Sequence, residues 1–185
     1  MILKGKKVVL RPLSLKDAPR FYRWLADKEV TKFLAVYYEQ PPTLKEEQEW
    51  IKKVQKDKTK QGFAIDAIDG QHIGVAIFDN IDEINQRAEY SIFIGDKKYW
   101  GQGCGTEAGK LMVEYGFKKM KLHRMYLYLI AYNVRGRKSY ERIGFKFEGR
   151  QRDHYFRDGF WHDRILMGLL REEYLKNNKE SRVKN

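Results

Sequence analysis

Three alternating glycines, Gly101, Gly103 and Gly105, stand in Tyr99-Trp-Gly-Gln-Gly-Cys-Gly-Thr-Glu-Ala108, between a run of strand-forming residues and a run of helix-forming ones. Glycines at this spacing free the backbone to point consecutive N–H groups at one anion, and a helix start adds the positive end of its dipole. The segment is a candidate pyrophosphate cradle; the alternative is a tight strand-to-helix connection that needs positive φ and binds nothing. Gly103-Cys-Gly105-Thr-Glu-Ala108 also fits the dinucleotide pattern G-x-G-x-x-A, which requires a carboxylate about 20 residues on, at the end of the next strand. That strand ends Ala131-Tyr132-Asn133, with no acid. A phosphate-binding P-loop built on Gly109-Lys110 fails as well, since Cys104 stands where it needs glycine and Leu111 where it needs a hydroxyl.

Other side chains with chemical potential are fewer. Cys104 lies inside the loop with no His or Asp partner nearby in sequence, so it reads as a packing residue rather than a nucleophile. His72, His123, His154 and His162 lack metal-ligand spacing, and no metal is expected. Arg135, Arg137 and Lys138 follow the strand that ends at Asn133; they would meet phosphates or form a solvated helix face.

The chain has 185 residues, 42% hydrophobic and 14% aromatic, which suits one compact domain and excludes a disordered polymer. Its longest apolar stretch, Met125 to Tyr132, is far short of the roughly 20 residues that span a bilayer. The expectation is a cytoplasmic protein without membrane partners. A single cysteine excludes an internal disulfide and any multi-thiolate metal site. Lys and Arg exceed Asp and Glu by 37 to 25, a net +12, which biases partners toward anions without choosing among them. Residues 1–170 form the expected domain, and the polar, charged segment 171–185 reads as a solvated or frayed tail.

The glycine loop needs elements to hold it. Val8 to Arg11 reads as a strand stopped by Pro12. Ser14-Leu-Lys-Asp17 and Thr43-Leu-Lys-Glu46 are capping boxes, each ahead of apolar residues at helical spacing. Phe63 to Ile68 and His72 to Phe78 read as a hairpin across Asp69-Gly70, whose two central residues readily adopt positive φ. A polar loop is expected over 79–87. Ala88 to Ile94 reads as a strand, Thr106 to Lys121 as a helix, and Arg124 to Ala131 as a central strand buried on both faces. Val134 to Ile143 is a helix closed by Gly144, and Phe145 to Phe156 pairs with Phe160 to Leu170. Strands paired first by hairpins and later joined through helices predict an α+β fold with a mixed, mostly antiparallel central sheet flanked by helices.

Taken together, the glycine loop and Asn133-Val-Arg-Gly-Arg-Lys-Ser-Tyr140-Glu-Arg-Ile-Gly-Phe145 resemble the GNAT superfamily of acetyl-CoA-dependent N-acetyltransferases. The family pattern is Gln/Arg-x-x-Gly-x-Gly/Ala, followed by Asn-x-x-Ala/Ser leading into Tyr-x-x-x-Gly-Phe. Trp100 replaces the pattern's Gln/Arg and Gly136 its Ala/Ser. The order of elements matches from Val8 to about Leu170, and the opening Leu-Lys-Gly-Lys-Lys-Val-Val-Leu-Arg-Pro-Leu with Tyr-Trp-Gly-Gln-Gly looks like the branch of RimJ/RimL-type protein acetyltransferases and spermidine acetyltransferases.

The resemblance implies a direct attack of an amine on acetyl-CoA in a ternary complex. Backbone groups of Ile92, Phe93 and Ile94 would hold the pantetheine arm between two splayed strands. Trp100, Gly101, Gln102, Gly103, Cys104, Gly105 and Thr106 would surround the pyrophosphate, with Arg137 at the phosphates. It makes Tyr140 the general acid for the departing thiolate, Asn133 a partner of the cofactor arm or an N-cap, and Glu89 a base acting through water or a plain strand glutamate. Dimerisation through the last hairpin is common in the family, and Phe156, Phe160 and Trp161 would supply apolar contacts there or line the acceptor groove.

The acceptor is open between an α-amine or small amine, whose lower pKa needs less help from a base, and a polyamine, which needs an acidic pocket. Asp79, Asp82, Glu83, Glu46, Glu47 and Glu49 could supply one, although acids beside Lys45, Lys52 and Lys53 usually form a solvated mixed-charge face. A basic RNA binder using Tyr90, Phe93, Tyr126 and Tyr128 as stacking platforms is the competing class, disfavoured because helices should cover those strands.

Overall fold

The structure is a computed structural model that describes residues 1–34 and 40–183. Eight strands form one sheet: β1 (Leu3–Lys4), β2 (Val8–Pro12), β3 (Gln61–Ala67), β4 (His72–Asp82), β5 (Arg87–Ile94), β6 (Arg124–Ile130), β7 (Lys146–Arg157) and β8 (Phe160–Leu170), in the order β1-β2-β3-β4-β5-β6-β8-β7. The helices are α1 (Ala18–Leu25), α2 (Lys28–Thr31), α3 (Leu44–Lys56), α4 (Cys104–Lys118), α5 (Val134–Ile143) and α6 (Arg171–Val183). Every neighbouring pair of strands is antiparallel except β5 and β6. The α+β reading with a mixed, mostly antiparallel sheet is the observed fold.

The single parallel pair positions the site. β5 and β6 stay in register only from Arg87↔Arg124 to Glu89↔Tyr126. On its other edge β5 remains bonded to β4 as far as Gly74↔Ile94. Beyond Glu89 the two parallel strands therefore diverge, and the β5 backbone from Tyr90 to Ile94 has no ladder partner on the β6 side. Two apolar layers hold this wedge open. On one face α4 and α5 pack on the sheet through Ala108, Met112, Tyr115 and Tyr140 against Phe78, Tyr90, Met125 and Leu127. On the other, α1 and α3 contribute Phe21, Trp24, Ile51 and Val54, which pack on Ala64, Val75 and Ile77. Both capping boxes are formed, with Ser14 and Asp17 before α1 and Thr43 and Glu46 opening α3.

Several expectations need correction. In the turn between β3 and β4 only Gly70 has positive φ (+85°). The segment 79–87 is not simply a loop: β4 continues to Asp82, with a register shift between Asp79 and Asp82 that Asn80 accommodates at positive φ (+50°). β6 is interior, but its side chains alternate between buried Met125, Leu127 and Leu129 and half-buried Tyr126 and Tyr128, so one face stays accessible. Residues 171–183 form α6 rather than a frayed tail, and its Tyr174 ring lies 5.2 Å from Phe117; Lys184 and Asn185 lie outside the described residues. Among the described residues no helix is long and apolar enough to cross a membrane.

Candidate active site

The glycine loop turns sharply because Gly101 (φ +76°) and Gly103 (φ +84°) occupy left-handed backbone, where a β-carbon would be strained. Gly103 is the N-cap of α4, and the first helix bond runs from the Glu107 N–H to the Gly103 carbonyl at 2.9 Å. The N–H groups of Cys104, Gly105 and Thr106 thus have no acceptor within the helix and point out of its positive end. Two contacts anchor this end to the start of the chain. The Lys7 ammonium donates to the Gln102 carbonyl at 2.7 Å. The Glu107 carboxylate accepts from the backbone N–H groups of Lys6, Lys7 and Val8 at 3.1, 2.6 and 3.0 Å.

α5 faces this loop across the wedge. The Asn133 side chain caps α5 by accepting from the Gly136 N–H at 2.9 Å. A β-carbon at residue 136 would come within 2.7 Å of that side chain, so glycine and the cap fit each other. The hydroxyls of Thr106 and Ser139 are 2.8 Å apart and tie α4 to α5. The next residue, Tyr140, is 9% exposed, and burial pushes its phenol up to about 12. Its ring meets Tyr90 and Phe145 edge-on. Trp100 donates from its indole N–H to the Ile94 carbonyl at 2.7 Å, and the Arg135 guanidinium stacks on the indole at 4.2 Å. That bond occupies the Ile94 carbonyl; Phe93 turns its own backbone groups to Val75 of β4, so Ile92 carries the free N–H and C=O of the divergent edge.

A cavity of about 1130 Å³ runs through the wedge. Its α4–α5 end is lined by Gly101, Gly103, Cys104, Gly105 and Thr106 with Arg135, Lys138 and Arg142. Its other end, between α3 and the sheet, is lined by Glu46, Glu47, Asp79 and Glu89. The lining is cationic on the α4–α5 side of the sheet and acidic on the α3 side, and Ser91 to Ile94, Asn133 and Tyr140 share it. Glu89 accepts from the Asn80 amide at 3.0 Å, and burial raises its carboxyl above the ordinary range, with Asp79 adding to the shift and Asn80 opposing it.

Most of the expected site residues are thereby brought together: Glu89, Ile92, Phe93, Ile94, Trp100, Gly101, Gly103, Cys104, Gly105, Thr106, Asn133 and Tyr140 all line the cavity. Gln102 and Arg137 do not. The Gln102 amide turns back to the Lys98 carbonyl, and Arg137 pairs with Glu141 along α5 at 3.0 Å while lying over Phe147. Of the α5 cations, Arg135, Lys138 and Arg142 line the cavity. Glu107 carries no motif signal; Glu47 is one of the six acids the sequence offers for an acidic pocket, and its place four residues before Ile51 on the apolar face of α3 is what sets it apart. Tyr90, a supposed stacking platform, is fully buried, and its hydroxyl has no partner among the described residues. Among those residues no His, Cys, Asp and Glu group has the arrangement of a metal site.

The acetyltransferase (GNAT) domain model matches residues 7–146. This chain belongs to the GNAT acetyltransferase family. It is 28% identical over 173 residues to the spermidine N(1)-acetyltransferase of Escherichia coli strain K12, covering 93% of this chain and 90% of that protein. It is 29% identical over 120 residues to the ribosomal protein uS5-alanine N-acetyltransferase of the same strain, 62% of each chain. The crystal structure of Vibrio cholerae spermidine N-acetyltransferase in complex with CoA and spermine shares the fold with a TM-score of 0.83 at 24% identity, covering 92% of this chain and 99% of that one. The protein is an N-acetyltransferase, and the GNAT family uses acetyl-CoA.

Proposed function

We propose that this protein transfers the acetyl group of acetyl-CoA to a cationic primary amine by direct attack in a ternary complex. The observation that carries the reading is the division of charge within one cavity: free helix N–H groups and three cations at one end, four carboxylates at the other. Acetyl-CoA supplies a pyrophosphate that fits the first end and a thioester as acyl donor. Gly103, Gly105 and Thr106 bind the phosphates through backbone N–H groups, and the unpaired β5 backbone at Ile92 orients the arm by extending the sheet.

The acceptor enters from the acidic end. Glu89, made more basic by burial, takes the ammonium proton through water so that the amine carries a free electron pair. The new N–C bond forms as the C–S bond breaks, Tyr140 donates its phenolic proton to the departing sulfur, and the second proton shed by the acylated nitrogen returns through water to the phenolate. Burial keeps that phenol protonated throughout the neutral range. The acidic lining favours a polyamine, in line with the spermidine-acetylating relative. The second reading, an α-amine at a protein N-terminus, is supported by the uS5-alanine relative.

The test is a thermal shift with saturating acetyl-CoA, with NAD and an RNA oligonucleotide as controls, followed by an acceptor screen. A ligand at 100 times its dissociation constant stabilises the native state by about 2.7 kcal/mol, or roughly 5 to 10 °C for a chain of this size. A shift with NAD or RNA and none with acetyl-CoA would overturn the proposal.

A further inference from the structure

Four carboxylates line the acidic end of the cavity, and three are already engaged. Glu46 completes the α3 capping box, accepting from the Thr43 N–H at 2.7 Å and the Thr43 hydroxyl at 2.8 Å. Asp79 is paired with the Lys60 ammonium. Glu89 holds the Asn80 amide. Glu47 differs from all of these. It is 5% exposed, and among the described residues no side-chain or backbone donor reaches its carboxylate.

Its position is not that of a surface acid folded inward by chance. Glu47 precedes Ile51 by one helical turn, on the face of α3 that packs Ile51 and Val54 against the sheet. An apolar residue at that position would complete the stripe, and a carboxylate there gives up much of its hydration without gaining a partner. Burial and the neighbouring charge of Glu46 push it up to about 7, so a cation brought beside it would find a carboxyl ready to ionise.

We propose that Glu47 is an acceptor-specificity residue whose carboxylate receives the second, non-reacting ammonium of a di- or polyamine while the reacting amine lies toward Glu89 and Tyr140. This rests on the acetyl-transfer reading of the same cavity. The ligand chemistry follows from the site: a compact cation with several N–H donors, linked by an apolar chain to the attacking nitrogen. The chain of the acceptor would run along Val75 and Ile77 of β4 and under Trp50 of α3, which line the cavity with Glu47.

The experiment compares 1,5-diaminopentane with n-pentylamine, acceptors of equal chain length that differ by one ammonium, at pH 8 and saturating acetyl-CoA. In the wild type the diamine should have the lower KM. Glu47→Gln should raise the diamine KM about tenfold with kcat little changed, as expected for losing one charge-assisted contact, and should reduce the preference for diamine over monoamine by the same factor. Glu47→Asp should restore part of it. Because Glu47→Gln keeps shape and removes a buried charge, its melting temperature should equal or exceed that of the wild type, whereas loss of a structural ion pair would lower it. Equal effects on both amines, no effect on either, or a wild type without preference for the diamine would overturn the proposal. Calorimetric titration of the diamine into the CoA-bound protein separates the two readings. Weaker diamine binding by Glu47→Gln with CoA binding intact supports the anchor even where turnover fails. Equal diamine binding by both proteins removes the anchor and leaves acetyl transfer standing.

Discussion

Replacing Glu107 with alanine should loosen the start of the chain and the phosphate loop together. The Glu107 carboxylate, in the first turn of α4, accepts three backbone N–H groups from Lys6, Lys7 and Val8, nearly a hundred residues away. Lys6 and Lys7 are exposed, so their freed N–H groups would turn to water at a net loss of about 0.5 kcal/mol each. Val8 is fully buried, and its orphaned N–H would cost about 2 kcal/mol. The sum is about 3 kcal/mol, which at this chain length lowers the melting temperature by roughly 6 to 12 °C. Calorimetry measures the drop, and amide exchange should show the Val8 N–H losing protection before the centre of β4. Because Lys7 also holds the Gln102 carbonyl, the variant should bind acetyl-CoA more weakly with kcat retained. A melting temperature within a degree or two of the wild type, with Val8 still protected, would refute the argument that this carboxylate joins the N-terminal strand to the loop.

Tyr140→Phe should lower kcat by about 10²-fold or more with little change in affinity for acetyl-CoA, as expected for removing a proton donor that does not bind the cofactor's phosphates; single-turnover kinetics distinguish the two effects. Glu89 has a raised pKa and must be ionised to act, so wild-type kcat/KM should fall as pH drops through that pKa, and in Glu89→Gln this limb should vanish and the plateau fall by about 10². Glu47 carries a carboxyl raised from 4.5 to about 7, so the native state binds more protons than the unfolded chain between these values and loses stability as pH rises through them. Denaturant titrations should find Glu47→Gln about 2 kcal/mol more stable than wild type at pH 8, after allowance for solvent at the cavity mouth, with the difference gone below pH 4.

What the sequence made legible was local. Both capping boxes rest on residues three apart, and the helix and strand periods of α4, α5 and β8 lie within one segment each. The glycine loop was legible for the same reason, since its left-handed backbone is a property of Gly101 and Gly103 themselves. What escaped depended on distant partners. β4 continues through Asn80 because β5 lies alongside to pair with it, and α6 is helical with Tyr174 set against Phe117. Glu47 in sequence is one acid among lysines, and only the packing of α3 on the sheet distinguishes it from exposed Glu49. Arg137 fits a phosphate contact by motif, yet the helical phase gives the cavity to Arg135, Lys138 and Arg142.

Net charge illustrates the limit of a compositional argument. A chain of net +12 is expected to favour anions throughout, yet the cavity collects four carboxylates at one end. Acetyl transfer to an amine needs this separation, because a phosphate-rich donor and a cationic acceptor must lie together without either field repelling the other partner. The sheet supplies it through geometry. Where β5 and β6 stop pairing after Glu89, a gap opens with α4 and α5 on one side and α1 and α3 on the other, so residues distant in sequence and opposite in charge face one cavity. A chain of the same composition whose β5 and β6 paired to their ends would keep the glycine loop and the net charge. It would have no place where a thioester and an amine could meet.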